Sequence, residues 1–280
     1  MPEQGAIDKL IIHDEIGLAS GLLDDVRIRS VYRTVFARRG EFLLPVAIEA
    51  SAVPTRQALP LEPRAFLAGL DPVRRDAAAH LATCLAIANF ALLDNPSLPL
   101  VVNVFPRWIV AFDPFLADIG RYAGEAGLDP RGIIFSVNTA GAVDPAVLVT
   151  FTNAMRSRGA SIAFDDFDAG ESSLALVRQV RPSWVGIEAS RFAHLDAAPA
   201  GRALLASMTG GLRELGATPF AGGIDSPALL DFMLSSGIRH VRGDLFGKPV
   251  GAGEFVLPGP HATSRFGGGR SNVHPLRAVH

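Results

Sequence analysis

The chain has 280 residues, of which 49% are hydrophobic and 19% charged. That is enough apolar mass for one large α/β domain or two small ones, and it excludes wholesale disorder. A formal net charge of −2 gives no electrostatic case for a nucleic-acid polymer or an anionic membrane surface.

In chain order, Ile7, Leu10, Ile11, Leu18 and Leu22 fall at helical spacing among acidic residues, so an amphipathic helix is expected within residues 1–27. Gly17 and Gly21 weaken it. Ile28–Ala37 and Glu41–Ala50 read as two strands of a hairpin around Arg38–Arg39–Gly40. A proline-rich connection follows from Pro54 to Pro63. Asp71–Leu93 is a long Ala/Leu helix, with Asp71 as its cap and Pro72 at its first position. From there the pattern alternates. Strands are expected at Leu98–Val104, Ile133–Val137, Ser161–Phe164, Trp184–Ile187, Thr218–Ala221 and His240–Val241. Helices are expected at Pro114–Ala126, Pro145–Ser157, Ser172–Val180, Ala200–Leu215 and Pro227–Ser236, most of them closed by a glycine.

Such alternation with short loops argues for a parallel sheet with helical crossovers, and seven to eight units argue for closure. The fold class is therefore α/β, a (β/α)8 TIM-like barrel with one antiparallel strand, preceded by the N-terminal helix. Residues 28–256 form the barrel domain. Residues 257–280 are Gly-, Arg- and His-rich without apolar periodicity, and a flexible tail is expected there.

Cys84 is the single cysteine, so no internal disulfide forms and a reducing cytoplasm is expected. It lies in an Ala-rich helical pattern and reads as a small buried hydrophobe. No apolar run reaches the roughly 18–20 residues of a spanning helix. The start Met1–Pro2–Glu3–Gln4 does not read as a signal peptide. Trp108 and Trp184 are expected as core anchors, and the histidines show no ligand spacing.

In a barrel of this kind the site lies at the carboxyl ends of the strands. Those ends carry Glu49, Asn103, Ser136, Asn138, Asp165, Asp166, Glu188, Gly222–Asp225 and Arg242. Glu49, Asn103, Asp165 and Asp166 make an oxygen-rich set of the kind that suits a hard divalent cation. Two adjacent carboxylates shift each other's pKa unless a cation or donors separate them. The alternative is structural, with Asp165 capping the next helix and Asp166 holding the loop.

The run Phe164–Asp165–Asp166–Phe167–Asp168–Ala169–Gly170–Glu171–Ser172–Ser173–Leu174 resembles the Asp-Asp-Phe-Gly-x-Gly-x-Ser-Ser-Leu of the EAL domain family, the cyclic di-GMP phosphodiesterases and their inactive relatives. Ile48–Glu49–Ala50, Val102–Asn103–Val104, Gly222–Gly223–Ile224–Asp225 and Gly243–Asp244–Leu245–Phe246–Gly247–Lys248–Pro249 support the resemblance over roughly residues 28–255. It implies a barrel with one reversed strand. It also implies remnant catalytic positions at Glu49, Asp165, Asp166, Glu188 and Asp225, with metal positions at Glu49, Asn103, Asp165 and Asp166. Ligand contacts, if retained, are implied for Arg33, Glu49, Asp166, Arg242 and Pro249.

The departures from the family pattern are as informative. The phosphate-contacting Arg is Val53, and the tripeptide's Leu is Ser51. A metal-binding Glu is Ser136 in Ser136–Val137–Asn138–Thr139. The catalytic Lys is Gly186. Gly222 replaces a Glu, Asp225 shortens another, and Arg242 replaces a Gln. Arg33–Thr34 replaces Gln-Pro, while Asp168 and Glu171 add negative charge. The resemblance thus implies a catalytically degenerate member; Arg242 is expected either to neutralise the remaining carboxylates in place of metal, as a guanidinium pairs well with them, or to face solvent. Such a chain is expected to act as a regulatory or protein-interaction module in bacterial signalling. A role as cyclic di-GMP receptor stays open, and the alternative is a weak Mg²⁺- or Mn²⁺-dependent cyclic di-GMP phosphodiesterase. No cofactor is expected unless the remnant site is filled. A protein partner and a homodimer are expected.

Overall fold

The computed structural model describes residues 7–93, 97–104, 112–138, 144–168 and 170–266. Trp108, Thr139, Ala169 and residues 267–280 lie outside the described residues, as do the side chains of Glu171 and Ser172. Two short strands come first, β1 (Ile11–His13) and β2 (Ala19–Leu23), then a long hairpin of β3 (Val26–Arg39) and β4 (Phe42–Arg56). A two-residue strand β5 (Leu59–Pro60) and helices α1 (Pro63–Gly69) and α2 (Pro72–Ala88) follow. Next are β6 (Leu100–Val104), α3 (Phe112–Glu125), β7 (Ile133–Asn138), α4 (Pro145–Arg156), β8 (Ser161–Asp165) and α5 (Glu171–Val180). The series continues with β9 (Trp184–Glu188), α6 (Ala189–Phe192), α7 (Pro199–Glu214), β10 (Thr218–Gly222), α8 (Pro227–Ser235) and β11 (His240–Val241). The short strands β12 (Val250–Gly251) and β13 (His261–Ala262) end it.

Eight strands close a barrel in the order β3-β11-β10-β9-β8-β7-β6-β4, with β4 returning to β3. β3 runs antiparallel to both of its barrel neighbours. The other neighbouring pairs are parallel. The parallel strands are apolar on both faces because helices cover the outside; β7 is buried from Ile133 to Val137. Caps set the helix starts. The Asp71 carboxylate accepts from the Val73 and Arg74 amides with Pro72 in the first turn, and Glu62 caps α1 in the same way.

The interior is layered. Val35, Ala47, Val101, Ile134 and Ala163 pack with Trp184 as one cluster from successive strands. Trp184 lies 5.8 Å from the Phe220 ring and 5.3 Å from that of His240. Strand side chains alternate, so the next inward layer comes from residues two places along. That layer is Arg33, Glu49, Asn103, Ser136, Asp165, Gly186, Gly222 and Arg242. The outer core is aromatic, with Phe115, Phe135 and Phe151 at ring separations of 6.3–6.5 Å.

Among the described residues, from Ile7 on, the expected N-terminal helix is not there; Asp8–Leu10 is a single 3-10 turn and Ile11–Leu23 is the β1–β2 hairpin. Asp14 accounts for it. Its carboxylate accepts from the Ile16 and Leu18 amides, which folds a turn where a helix would run on. Gly21 then pairs in the sheet against Leu81, where a Cβ would overlap the leucine side chain. The tail also differs as far as Phe266. β13 pairs with Leu43 and Phe42 of β4, and Phe266 packs on Phe246 and His261.

Asn89, buried after α2, accepts from the Ala19 amide at 2.8 Å and donates to the Ala19 carbonyl and Ser30 hydroxyl at 2.8 Å. Asn89→Ala strands three buried polar groups and should lower stability by about 2–4 kcal/mol. Urea denaturation checks this, and a loss under 0.5 kcal/mol (order of an ordinary surface change) would show that the hairpin is not pinned there.

Candidate functional site

Arg33 and Glu49 are cross-strand neighbours of the hairpin, with Arg33 Nε 3.9 Å from Glu49 Oε2. Glu49 is buried, and its other oxygen accepts from Arg242 Nη1. Arg242 Nη2 donates to Asp165 Oδ2 at 2.8 Å. One guanidinium from the end of β11 therefore bridges carboxylates of β4 and β8. Its carbon also lies 5.3 Å from the Phe220 ring centre, which adds a cation–π contact. Arg33 turns outward as well, with Nη1 3.3 Å from Asp244 Oδ1.

Asp166 goes elsewhere. Its φ of +59° is a left-handed conformation that Asp tolerates better than most residues, and it turns the side chain away from that of Asp165. Oδ2 accepts from Asn138 Nδ2 at 2.9 Å and from Arg64 Nη2 at 3.1 Å, and Oδ1 faces Arg191 at 3.6 Å. The two aspartates therefore do not share one site. They remain linked because the Asp166 amide donates to Asp165 Oδ1 at 2.9 Å. Asp165 does not cap α5 either. The N-cap position of α5 is Gly170, and Asp168 orders the turn before it by accepting from the Gly170 amide at 2.9 Å and the Ser173 hydroxyl at 2.6 Å.

Burial pushes the Asp165 carboxyl up to about 6, and the charges of Asp166 and Glu188 push the same way. Desolvation lowers Arg242 to about 10, with Arg33 adding repulsion. Both groups are ionised at neutral pH, so their contact is a charge pair there. Glu188 is raised by burial and by Asp166.

The other expected positions are less engaged. Asn103 donates weakly to the Ala50 carbonyl at 3.5 Å, and Ser136 is buried and neutral. Asp225 is exposed. Pro249 precedes β12, whose Val250 pairs with Tyr32 beside Arg33. Sequence reasoning missed Arg64, Arg191 and Phe220. Arg191 stands three residues after Glu188 at the strand-to-helix turn, a usable signal; Arg64 arrives from α1, and nothing local announces it. A cavity of about 320 Å³ opens between α1, α2 and β4, with Arg64 and Asn103 on its wall.

A divalent ion does not fit this donor set. Among the described residues no three His, Cys, Asp or Glu side chains converge as metal ligands. Arg242 already lies against Glu49 and Asp165, and the neutral Ser136 supplies no anionic bridge.

Residues 62–249 match the model of the EAL domain family. The chain belongs to the EAL domain family. The match begins after Glu49, so the first barrel strands lie outside it. Among solved structures, the EAL domain resembles the EAL enzyme Bd1971 in its cAMP- and cyclic-di-GMP-bound form. The TM-score is 0.71 at 19% identity, covering 81% of this chain and 63% of that one. Klebsiella pneumoniae BlrP1, in a calcium and cyclic di-GMP complex, gives 0.68 at 21%, covering 84% and 59%. The Bacillus subtilis YkuI protein, complexed with cyclic di-GMP and calcium, gives 0.70 at 18%, covering 84% and 58%. The chain spans about three fifths of the length of these three proteins. No match was found among curated proteins. Among the described residues no helix is long and apolar enough to cross a membrane.

A raised carboxyl means that the folded chain holds its proton more tightly than the unfolded chain does. The Asp165 contribution to stability is therefore fullest below pH ~4 and is lost as pH rises through about 6. The stability of the wild type relative to Asp165→Asn should fall by about 1–3 kcal/mol between pH 3.5 and 7. Denaturation curves at both pH values test it, and a constant difference would contradict the shift. Arg64 is mostly exposed, with 78% of its side chain accessible. Arg64→Ala should accordingly cost less than about 1 kcal/mol in the same assay.

Proposed function

We propose that this EAL domain does not hydrolyse cyclic di-GMP and acts in the cytoplasm as a regulatory module of bacterial signalling through contact with a protein partner, a second copy included. The contact of Arg242 with Glu49 and Asp165 carries the reading. Metal-assisted phosphodiester hydrolysis needs ions that generate hydroxide and clamp the attacking and leaving oxygens. It also needs a positive group aimed at the charge that develops. Here the two acids are committed to an arginine. Gly186 has no side chain where the family pattern has a lysine, and there is no room to add one: a Cβ would overlap the Phe220 ring and lie 2.6 Å from Asp165 Oδ1. Loss of one such group costs about 10²–10³ in rate, and several together leave no useful turnover.

A second reading, a receptor that binds cyclic di-GMP without cleaving it, draws support from the cavity beside Arg64 and from the cyclic di-GMP bound in BlrP1 and YkuI. Val53 in place of the phosphate-contacting arginine weighs against tight binding.

Purified protein incubated with cyclic di-GMP and Mg²⁺ or Mn²⁺ should yield no linear dinucleotide by chromatography. Product that disappears in Asp165→Ala would overturn the proposal. Calorimetric titration with cyclic di-GMP, with and without metal, should give a flat trace; saturable heat without cleavage would establish the receptor reading.

A further inference from the structure

We infer that Arg242 is a built-in counter-cation whose removal converts Glu49 and Asp165 into a divalent-cation site. This deepens the non-hydrolytic reading and rests on it, but it concerns the binding of an ion rather than chemistry.

Three observations carry it. The first is the fit of the arginine. Only 15% of its side chain is accessible, and both ends of its guanidinium fork meet a carboxylate. Its face lies over Phe220.

The second is the space around it. At Gly186 a Cβ would collide with the Phe220 ring, and at Gly222 a Cβ would sit 3.1 Å from both Nε and Nη2 of Arg242. That is tighter than ordinary contact. Gly186 therefore clears the volume that Phe220 fills, and Gly222 clears the volume that the guanidinium fills. Four residues on three neighbouring strands interlock, which a surface arginine leaning inward would not require.

The third is the charge balance. Among the described residues five carboxylates line the mouth, at Glu49, Asp165, Asp166, Glu188 and Asp244. Four guanidiniums face them, from Arg242, Arg33, Arg64 and Arg191. The set is one unit negative, but a divalent ion at Glu49 and Asp165 would enter against the fixed cation of Arg242. Without Arg242 the set is two units negative, and two carboxylates face the vacated space. Carboxylate oxygens with water completing the shell are what Mg²⁺ and Mn²⁺ take. A lysine at 242 would keep the charge while losing the fork.

The test is Mn²⁺ binding to the full chain, followed by loss of the free-ion paramagnetic resonance signal. Wild type and Arg242→Lys should show no specific site. Arg242→Gln should bind one Mn²⁺ per chain at least tenfold more tightly than wild type, and Arg242→Gln with Asp165→Asn should lose the gain. Stoichiometric binding by wild type that Asp165→Asn abolishes would overturn the inference. So would a natively folded Arg242→Gln that binds no better than wild type. If Arg242→Gln fails to fold, the wild-type melting temperature decides. No rise with Mn²⁺ supports the inference, and a rise abolished by Asp165→Asn refutes it. Cyclic di-GMP cleavage, read on the same samples, judges the functional proposal separately.

Discussion

A guanidinium buried at the mouth of the barrel is the constraint on which the site depends. Taking an ion out of water costs several kcal/mol even after relaxation, so it persists only where opposite charge and hydrogen-bond acceptors are already in place. Arg242 meets that condition by drawing one carboxylate from each side of the barrel, Glu49 from β4 and Asp165 from β8. The strands that hold these residues are not neighbours in the sheet. The contact therefore ties the barrel across its opening as well as balancing its charge.

The rest of the mouth follows from that tie. Asp165 is committed inward, so Asp166 has to be satisfied elsewhere, and a left-handed backbone at Asp166 delivers it to Asn138, Arg64 and Arg191. Gly223 is also in a left-handed conformation, and a Cβ there would overlap the Glu188 carboxylate. Gly186, Gly222 and Gly223 are thus matched to the Phe220 ring, the Arg242 guanidinium and the Glu188 carboxylate. A site of this kind is fixed by complementary volumes as much as by charge.

Much of this was legible in the sequence because a parallel barrel writes itself plainly. Apolar runs buried on both faces, capped helices and closing glycines leave few alternatives. The parity of the strands even places the mouth residues, since Val35, Ala47, Val101, Ile134 and Ala163 form one layer and the residues two places along form the next. The N-terminal segment failed for a physical reason. Ile7, Leu10, Ile11, Leu18 and Leu22 satisfy a helical spacing, but the Asx turn at Asp14 and the close approach of Gly21 to Leu81 make it a hairpin. Neither is visible without the partner element. The same holds for His261, whose two-residue strand exists only because Leu43 and Phe42 offer an edge. Arg64 reaches Asp166 from 102 positions away, and no local pattern encodes that.

The Asp165–Asp166 pair shows how a motif can outlast the chemistry proposed to have been lost. Asp166 holds a turn through four partners, one of them the Asp165 side chain meeting its amide. Replacing Asp165 would take an acceptor from the buried Arg242, and replacing Asp166 would take the acceptor that Asn138 and Arg64 share, and losing charge-assisted hydrogen bonds is expensive. Stability alone is then sufficient reason for both residues to stay, whether or not a reaction takes place above them. Gly186 is different, because nothing in the barrel needs a lysine there and Phe220 needs the space. On that reasoning, the glycine and the arginine carry more information about activity than the two aspartates that mark the family.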